Sequence, residues 1–579
     1  MRFNVPNLLK DRTIAGVNHR INQVIGLVLA AALAFGCGGD GERGGNSGIL
    51  SDLSGIMAGS EARGQASSTF IESGVVFFGA AAGDEPNAVI AAEDILKIGG
   101  SAADAAVALA LTMTVTMPSS ISLGGGGVCI VHDPGAKKTE VMDFIAPPGA
   151  LNAQADRPSA IPTLLRGLAA LQVRYGQLEF RQILAKTEKK ARFGHIVSRA
   201  TARELALAAR PLFLDPNARK IFARPDGNPY EEGDRLIQQD LADTYAALRT
   251  GGITSFYEGP LAEKIVKAVQ DAGGTLSVED LRNFVPRWRK PVGIPFDDVI
   301  INFISSPAGA GIGSWLMWNM LAVEGRFQKT EGVARMHLLL ETAKRAYAVR
   351  SSWLKSDGTF KAEQAFADPG KVESLMANFN RNVATPIANL HPVPVPVLEN
   401  PAGTGFVIVD LVGLAVACNL TNYNLFGTGR VAPGTGIVLA AAPGQADRNA
   451  LSLGPVLTFD AEFQSFRSAI AGSGGAAAMT ATTSVLAISV QQGATLKKAI
   501  ETPRGHHGGA PNVAVLEASV PENVKRELEL RGHKTVVVPT LGKINAVECP
   551  LGLDARSENI ACFVHADPRG VGLATEAER

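Results

Sequence analysis

The spacing of apolar and polar residues changes several times along the chain, and each change marks an element. Residues 86–114 (PNAVIAAEDILKIGGSAADAAVALALTMT) carry apolar side chains at helical spacing, broken at Gly99-Gly100, and predict two helices. LGGGGVCIVHD then runs four glycines into an alternating apolar strand at 128–132. Helical periodicity returns over 159–214 around Tyr175-Gly176, and PDGNPYEEGD at 225–234 is a turn signal. Further helices are predicted at 238–249, 260–272, 278–283 and 333–354, the last strongly amphipathic. Residues 385–402 hold five prolines, which excludes helix and central strand and predicts an exposed connector or extended surface segment. Gly403-Thr404-Gly405 then opens FVIVD, a buried-type strand, and LAVACNL at 414–420 is a second. The remainder alternates short strands and turns with helices near 480–490 and 522–531. No repeat of 20–50 residues is present. Strands and helices are mixed, so the class is α/β or α+β.

The first residues have a different pattern. Arg2, Lys10, Arg12 and Arg20 precede an uncharged apolar stretch at 24–36, too short to span a bilayer, which takes ~20 residues. A basic region followed by a short apolar one reads as an export signal. It ends at Gly36-Cys37 and a glycine-rich run, which resembles a bacterial lipoprotein signal with Cys37 as the lipidated residue; the alternative is ordinary signal cleavage with Cys37 incidental. Either way the expected place is the bacterial cell envelope, lipid-anchored and facing the periplasm in the first reading. The expected organisation is a signal at 1–37, a flexible Gly/Ser-rich tether at 38–67, a larger region at 68–403 and a smaller one at 404–579.

Composition narrows the function. Hydrophobic residues make up 46% of the 579 and charged ones 19%, which excludes a disordered chain. Lys+Arg and Asp+Glu balance at 55 each, which disfavours a nucleic-acid partner. Five cysteines cannot build a disulfide-dense scaffold, and none has metal-ligand spacing. Cys129 and Cys418 lie in apolar runs and read as small core residues, whereas Cys549 and Cys562 flank a turn-rich stretch and could pair. No cofactor or metal is expected. His506-His507 are adjacent, so their side chains diverge, and His337 with Glu341 supplies only two ligands at i and i+4.

Ten segments, in order, resemble the gamma-glutamyltranspeptidase family. Among them are GGSAADAAVALAL (99–111), MPSSISLGGGGVCIVHD (117–133), GDRLIQQDLADTYAAL (233–248), HLLLETAKRAYAVR (337–350), FGTGRVAPGTGIVL (426–439), TPRGHHG (502–508) and ADPRGVGLA (566–574). The resemblance implies a four-layer αββα sandwich of the N-terminal-nucleophile hydrolase type. It also implies a precursor that cuts itself before a threonine, whose hydroxyl and freed amine then serve as nucleophile and base. The large and small pieces would stay associated, and the substrate would be a small amide or peptide of γ-glutamyl type.

Carried over residue by residue, the resemblance thins at the site. Where the family has Thr-Thr-His, this chain has Gly403, Thr404 and Gly405. Thr404 is the candidate nucleophile if the chain has lost one residue there; otherwise it is an inert turn residue entering a strand. The family's carboxylate-clamping arginine would fall in DFIAPP (143–148), which has none. The residues that bind the amine become Ala440–Gln445, and the paired serines become Leu451-Ser452, leaving Ser452 as a substrate-binding candidate. Gly474-Gly475 match the pair whose N–H groups form the oxyanion hole, Thr421 matches a supporting threonine, and Tyr423 replaces a supporting asparagine. Two functions follow: a self-processing amidohydrolase or acyltransferase with an altered acyl pocket, or an unprocessed, catalytically inactive relative that binds or scaffolds in the envelope.

Overall fold

In the computed structural model, which describes residues 76–149, 155–305, 307–353, 369–390, 402–443 and 452–578, two antiparallel sheets lie face to face. Cys37, the segments expected to be an export signal and a tether, and residues 391–401 of the proline-rich run lie outside the described residues. The first sheet is built from β1 (Phe77–Gly83), β2 (Gly126–Asp133), β3 (Lys138–Phe144), β4 (Arg287–Arg289), β7 (Thr404–Asp410), β8 (Ala415–Thr421) and β13 (Leu573–Glu578). Its spatial order is β13-β1-β7-β8-β2-β3-β4. The second comprises β5 (Val292–Phe296), β6 (Val299–Phe303), β9 (Val456–Asp460), β10 (Phe466–Ser473), β11 (Lys543–Leu553) and β12 (Phe563–Ala566), in the order β12-β11-β10-β9-β6-β5.

Strand parity explains the layers. In β7, Val407 and Val409 enter the core shared with the second sheet, while Phe406 and Ile408 enter the core beneath the helices. In β2, Val128 and Ile130 face one core, and Cys129 and Val131 the other. With both faces covered, these strands are near-continuous apolar runs. Against the first sheet pack α1 (Pro86–Lys97) and α2 (Ala102–Thr116). α2 is buried at every residue, its small side chains allowing close approach, and it starts in a capping box between Ser101 and Asp104. Against the second sheet pack α3 (Gly309–Ala322), α4 (Gly332–Ala348) and α5 (Ala477–Leu486). The result is the expected αββα sandwich.

Three expectations need correction. Cys129 and Cys418 are not free core residues: β2 and β8 place them opposite one another, and they form a disulfide. Cys549 and Cys562 form a second. The helix expected over 333–354 ends at Ala348, because Arg350 turns inward to donate to the Gly508 carbonyl at 2.9 Å. The proline-rich run, expected to hold no helix, forms one short 3-10 turn at Ile387–Leu390; Pro386, Ala388 and Asn389 are exposed, as expected. Thr385 is buried, donating its N–H to Glu341 at 3.2 Å and accepting from Lys344 at 3.0 Å.

Candidate active site

The first sheet delivers Thr404 to its edge of the sandwich at the very start of β7, opposite Leu420 of β8. Its side chain is buried. Oγ1 donates to Asp84 Oδ2 at 3.2 Å and lies 3.7 Å from Met113 Sδ. Asp84 follows the last residue of β1, which pairs with Phe406, so the backbone register sets the carboxylate beside Thr404. The same carboxylate accepts from Gly405 N at 3.3 Å, Ser473 Oγ at 2.7 Å and Asn545 Nδ2 at 2.9 Å. Lys543 Nζ stands 3.8 Å from Asp84 and 3.9 Å from Glu204. Burial opposes its charge, but the carboxylates of Asp84, Glu204 and Asp567 outweigh that and raise Lys543 above the ordinary lysine range.

The other sequence candidates gather around this point. Thr421 donates to the Ala402 carbonyl at 2.7 Å and accepts from Tyr423 N at 2.7 Å, so it holds the chain two residues before Thr404. A Cβ added at Gly403 would lie 3.5 Å from Ser452 Oγ, which places Ser452 against the bond that precedes Thr404. Gly474 and Gly475 follow Ser473 directly and take φ of 107° and 67°, conformations that glycine adopts freely, in the turn leading to α5. Ser473 therefore links that turn to Asp84 and Thr404.

Gly405 has no room for a larger residue. A Cβ there would lie 2.8 Å from Asn419 Nδ2 and 3.1 Å from Ala471. Asn419 fills that space with a purpose. Its Nδ2 donates to the carbonyls of Thr404 (3.3 Å) and Gly472 (2.8 Å), and its Oδ1 accepts from Gly454 N at 3.1 Å. Asn545 does the same from the second sheet, donating to the Gly405 carbonyl at 2.8 Å.

The segments onto which the resemblance carries the substrate-binding residues are apolar. Ala146 from DFIAPP, Ala160, Tyr423, Ala440 and Ala441 form one buried cluster. Tyr423 donates its hydroxyl to the Ala146 carbonyl at 2.8 Å, and Ala160 N donates to the Ala440 carbonyl at 2.9 Å. A guanidinium does reach this segment, but from β4: Arg289 Nε donates to Asp143 at 2.8 Å. Burial nevertheless keeps the Asp143 carboxyl above its usual range. A cavity of about 600 Å³ opens beside Pro86 and Asn87, two and three residues after Asp84, with Ser198, Arg199, Glu232 and Val571 on its walls.

Among the described residues, potential metal donors converge at one point away from Thr404, where His337, Glu341 and His533 bring ligand atoms within 4.8 Å of one another. These donors do not suit a metal. Glu341 already accepts from Lys344 at 2.6 Å and from Arg345, and a divalent cation would add charge beside two buried cations. His337 Nε2 meets the Asn380 carbonyl at 2.9 Å and therefore donates, which leaves Nδ1 to accept from His533 Nε2 at 2.8 Å. Burial lowers both imidazoles below their ordinary range, so the pair is a neutral hydrogen-bonded strut. His506 and His507 are likewise buried and bonded apart, to Thr480 at 2.8 Å and to Asn512 at 3.1 Å.

Against known proteins, the gamma-glutamyltranspeptidase family model matches residues 88–576. The chain is 28% identical over 500 residues to a glutathione hydrolase proenzyme of Escherichia coli, covering 78% of this chain and 85% of that protein. It is 27% identical over 516 residues to the Bacillus subtilis glutathione hydrolase proenzyme, again covering 78% and 85%. The crystal structure of a cephalosporin acylase from Bacillus halodurans shares the fold, with a TM-score of 0.73 over 90% of this chain and 99% of that one, at 22% identity.

Proposed function

The chain belongs to the gamma-glutamyltranspeptidase family, and from that premise we propose that it is a self-processing hydrolase or acyltransferase in which Thr404 is the nucleophile and the acyl pocket is altered. The observation that carries this reading is the placement of the Thr404 hydroxyl. It stands at the start of β7, bonded to a buried carboxylate, with the Ala402 carbonyl pinned by Thr421 and a glycine pair one residue from Ser473. Two backbone donors from Gly474 and Gly475 on a developing oxyanion are each worth ~3 kcal/mol of barrier. Thr404 attacking the Gly403 carbonyl would release an amine on the same residue, the pairing that activates such nucleophiles. The alanine cluster and Tyr423 favour an acyl group less polar than γ-glutamyl. The envelope location and the lipid anchor on Cys37 belong to the same proposal, and two disulfides favour an oxidising compartment.

Gly403 supports a second reading. It stands where the family carries its first threonine and has no side chain, as expected of an unprocessed relative kept for binding. A denaturing gel with N-terminal sequencing separates the two. Processing predicts a smaller piece beginning at Thr404 and an uncut Thr404→Ala chain. A folded wild type that stays whole after long incubation supports the inactive relative instead.

A further inference from the structure

Asp84 is an unusual residue to bury. It precedes α1, yet it does not cap it: Glu85 accepts from Ala88 N at 2.8 Å and serves as the cap. The Asp84 carboxylate is 4% exposed and points instead at the start of β7. Oδ2 receives Thr404 Oγ1, Gly405 N and Ser473 Oγ, and Oδ1 receives Asn545 Nδ2. Lys543 Nζ stands 3.8 Å from the same carboxylate. Four contacts from both sheets, plus a cation, fix one carboxylate against one hydroxyl. A buried carboxylate with this many donors costs several kcal/mol to desolvate. Capping does not account for it, and the helix does not need it.

We propose that Asp84 is the proton acceptor for Thr404 in chain cleavage, a role that rests on Thr404 being the nucleophile. Thr404 Oγ1 attacks the Gly403 carbonyl carbon and its proton passes to Asp84 Oδ2. The tetrahedral species collapses by breaking the Gly403–Thr404 C–N bond. Asp84 returns the proton to the departing nitrogen, leaving a free amine on Thr404 and an ester between Gly403 and Oγ1. Water then hydrolyses the ester to the Gly403 carboxylate and the Thr404 hydroxyl. Ser473 and Asn545 are positioning residues: they hold the two carboxylate oxygens so that Oδ2 faces Oγ1.

The test follows cleavage of freshly folded full-length chain on denaturing gels, with and without hydroxylamine, which cuts an ester but not an amide. Positioned proton transfer contributes about 10²–10⁴-fold, so Asp84→Asn should cut at least ~100-fold more slowly and show no hydroxylamine-sensitive species. Asp84→Glu, which keeps the charge, should recover part of the rate. Asp84→Asn cutting at the wild-type rate overturns the proposal, and so does accumulation of a hydroxylamine-sensitive ester, which would place Asp84 after the acyl shift. If Asp84→Asn does not fold, folded Asp84→Glu decides: slowed cleavage supports the role and an unchanged rate overturns it. Thr404→Ala distinguishes the two failures. If it also cuts, Thr404 is not the nucleophile; if it stays whole while Asp84→Asn cuts normally, only the role of Asp84 is lost.

Discussion

Adjacent glycines flank Thr404, and the structure predicts opposite responses to the same methyl group. At Gly403 an added Cβ meets Ser452 Oγ at 3.5 Å and the Leu420 carbonyl at 3.7 Å, ordinary contact distances, and the backbone is not left-handed. Gly403→Ala should therefore stabilise by about 0.4–1 kcal/mol, through the entropy removed from the unfolded chain. At Gly405 the same Cβ would lie 2.8 Å from Asn419 Nδ2, and the carboxamide cannot yield without loosening its bonds to Thr404, Gly472 and Gly454. Overpacking costs about 1–3 kcal/mol and an orphaned buried polar group a similar amount, so Gly405→Ala should destabilise by ~2–4 kcal/mol. At about 2.1 cal/mol/K per residue, a chain of this size shifts ~1 °C per kcal/mol. Calorimetry on uncut Thr404→Ala background should find Gly403→Ala level or slightly up and Gly405→Ala down by ~2–4 °C. Equal shifts of the same sign would refute the claim that Asn419 occupies the space beside Gly405.

Four further outcomes are expected. Glu341→Gln leaves Lys344 and Arg345 buried without their counter-ion, and should cost about 3–5 kcal/mol in denaturant unfolding; a loss below 1 kcal/mol would mean that those cations reach water. Burial pushes the Asp410 carboxyl up from 3.8 to about 7 despite three backbone donors. The folded chain therefore keeps a proton that the unfolded chain has released, so this stabilisation is full below pH ~4 and lost as pH rises to ~7, by about 4 kcal/mol, and Asp410→Asn should flatten that slope. A γ-glutamyl anilide should be hydrolysed far more slowly than an anilide with an apolar acyl group, and the reverse order would show a clamp supplied from elsewhere. Labelled fatty acid should mark the wild type and not Cys37→Ser, and equal labelling would remove the lipid anchor.

Most of the scaffold was legible because its signals are local. Gly99-Gly100 separates α1 from α2, and FVIVD and LAVACNL become β7 and β8. The helix expected over 278–283 appears there too. Of the candidate site, the sequence picks out only residues where a motif survives: Thr421 and Ser452 lie against the residues just before Thr404, and Gly474 and Gly475 follow Ser473, which bonds the same carboxylate as Thr404. Its polar frame was not legible. Asp84, Asn419, Ser473, Lys543 and Asn545 are distant in sequence and meet only once the two sheets stack. Asp84 had one local signal, a second acid beside the Glu85 cap, with no capping work left to do. Cys129 and Cys418 read as core because a strand residue facing helices looks the same whether or not its cross-strand neighbour is a cysteine.

The register of the outermost strand pair bears on how the chain can be rewired. Phe77 pairs with Glu578, so the first and last strands of the folded body finish side by side, about 5 Å apart in the sheet. A few residues would join them. A circularly permuted chain, closed there and opened before Thr404, would carry a free amine on that threonine from synthesis onward. β1 would still sit between β13 and β7, and β8 would still lie beside β2. If Thr404 acts as proposed, peptide-bond attack and substrate turnover could then be tested separately on one fold.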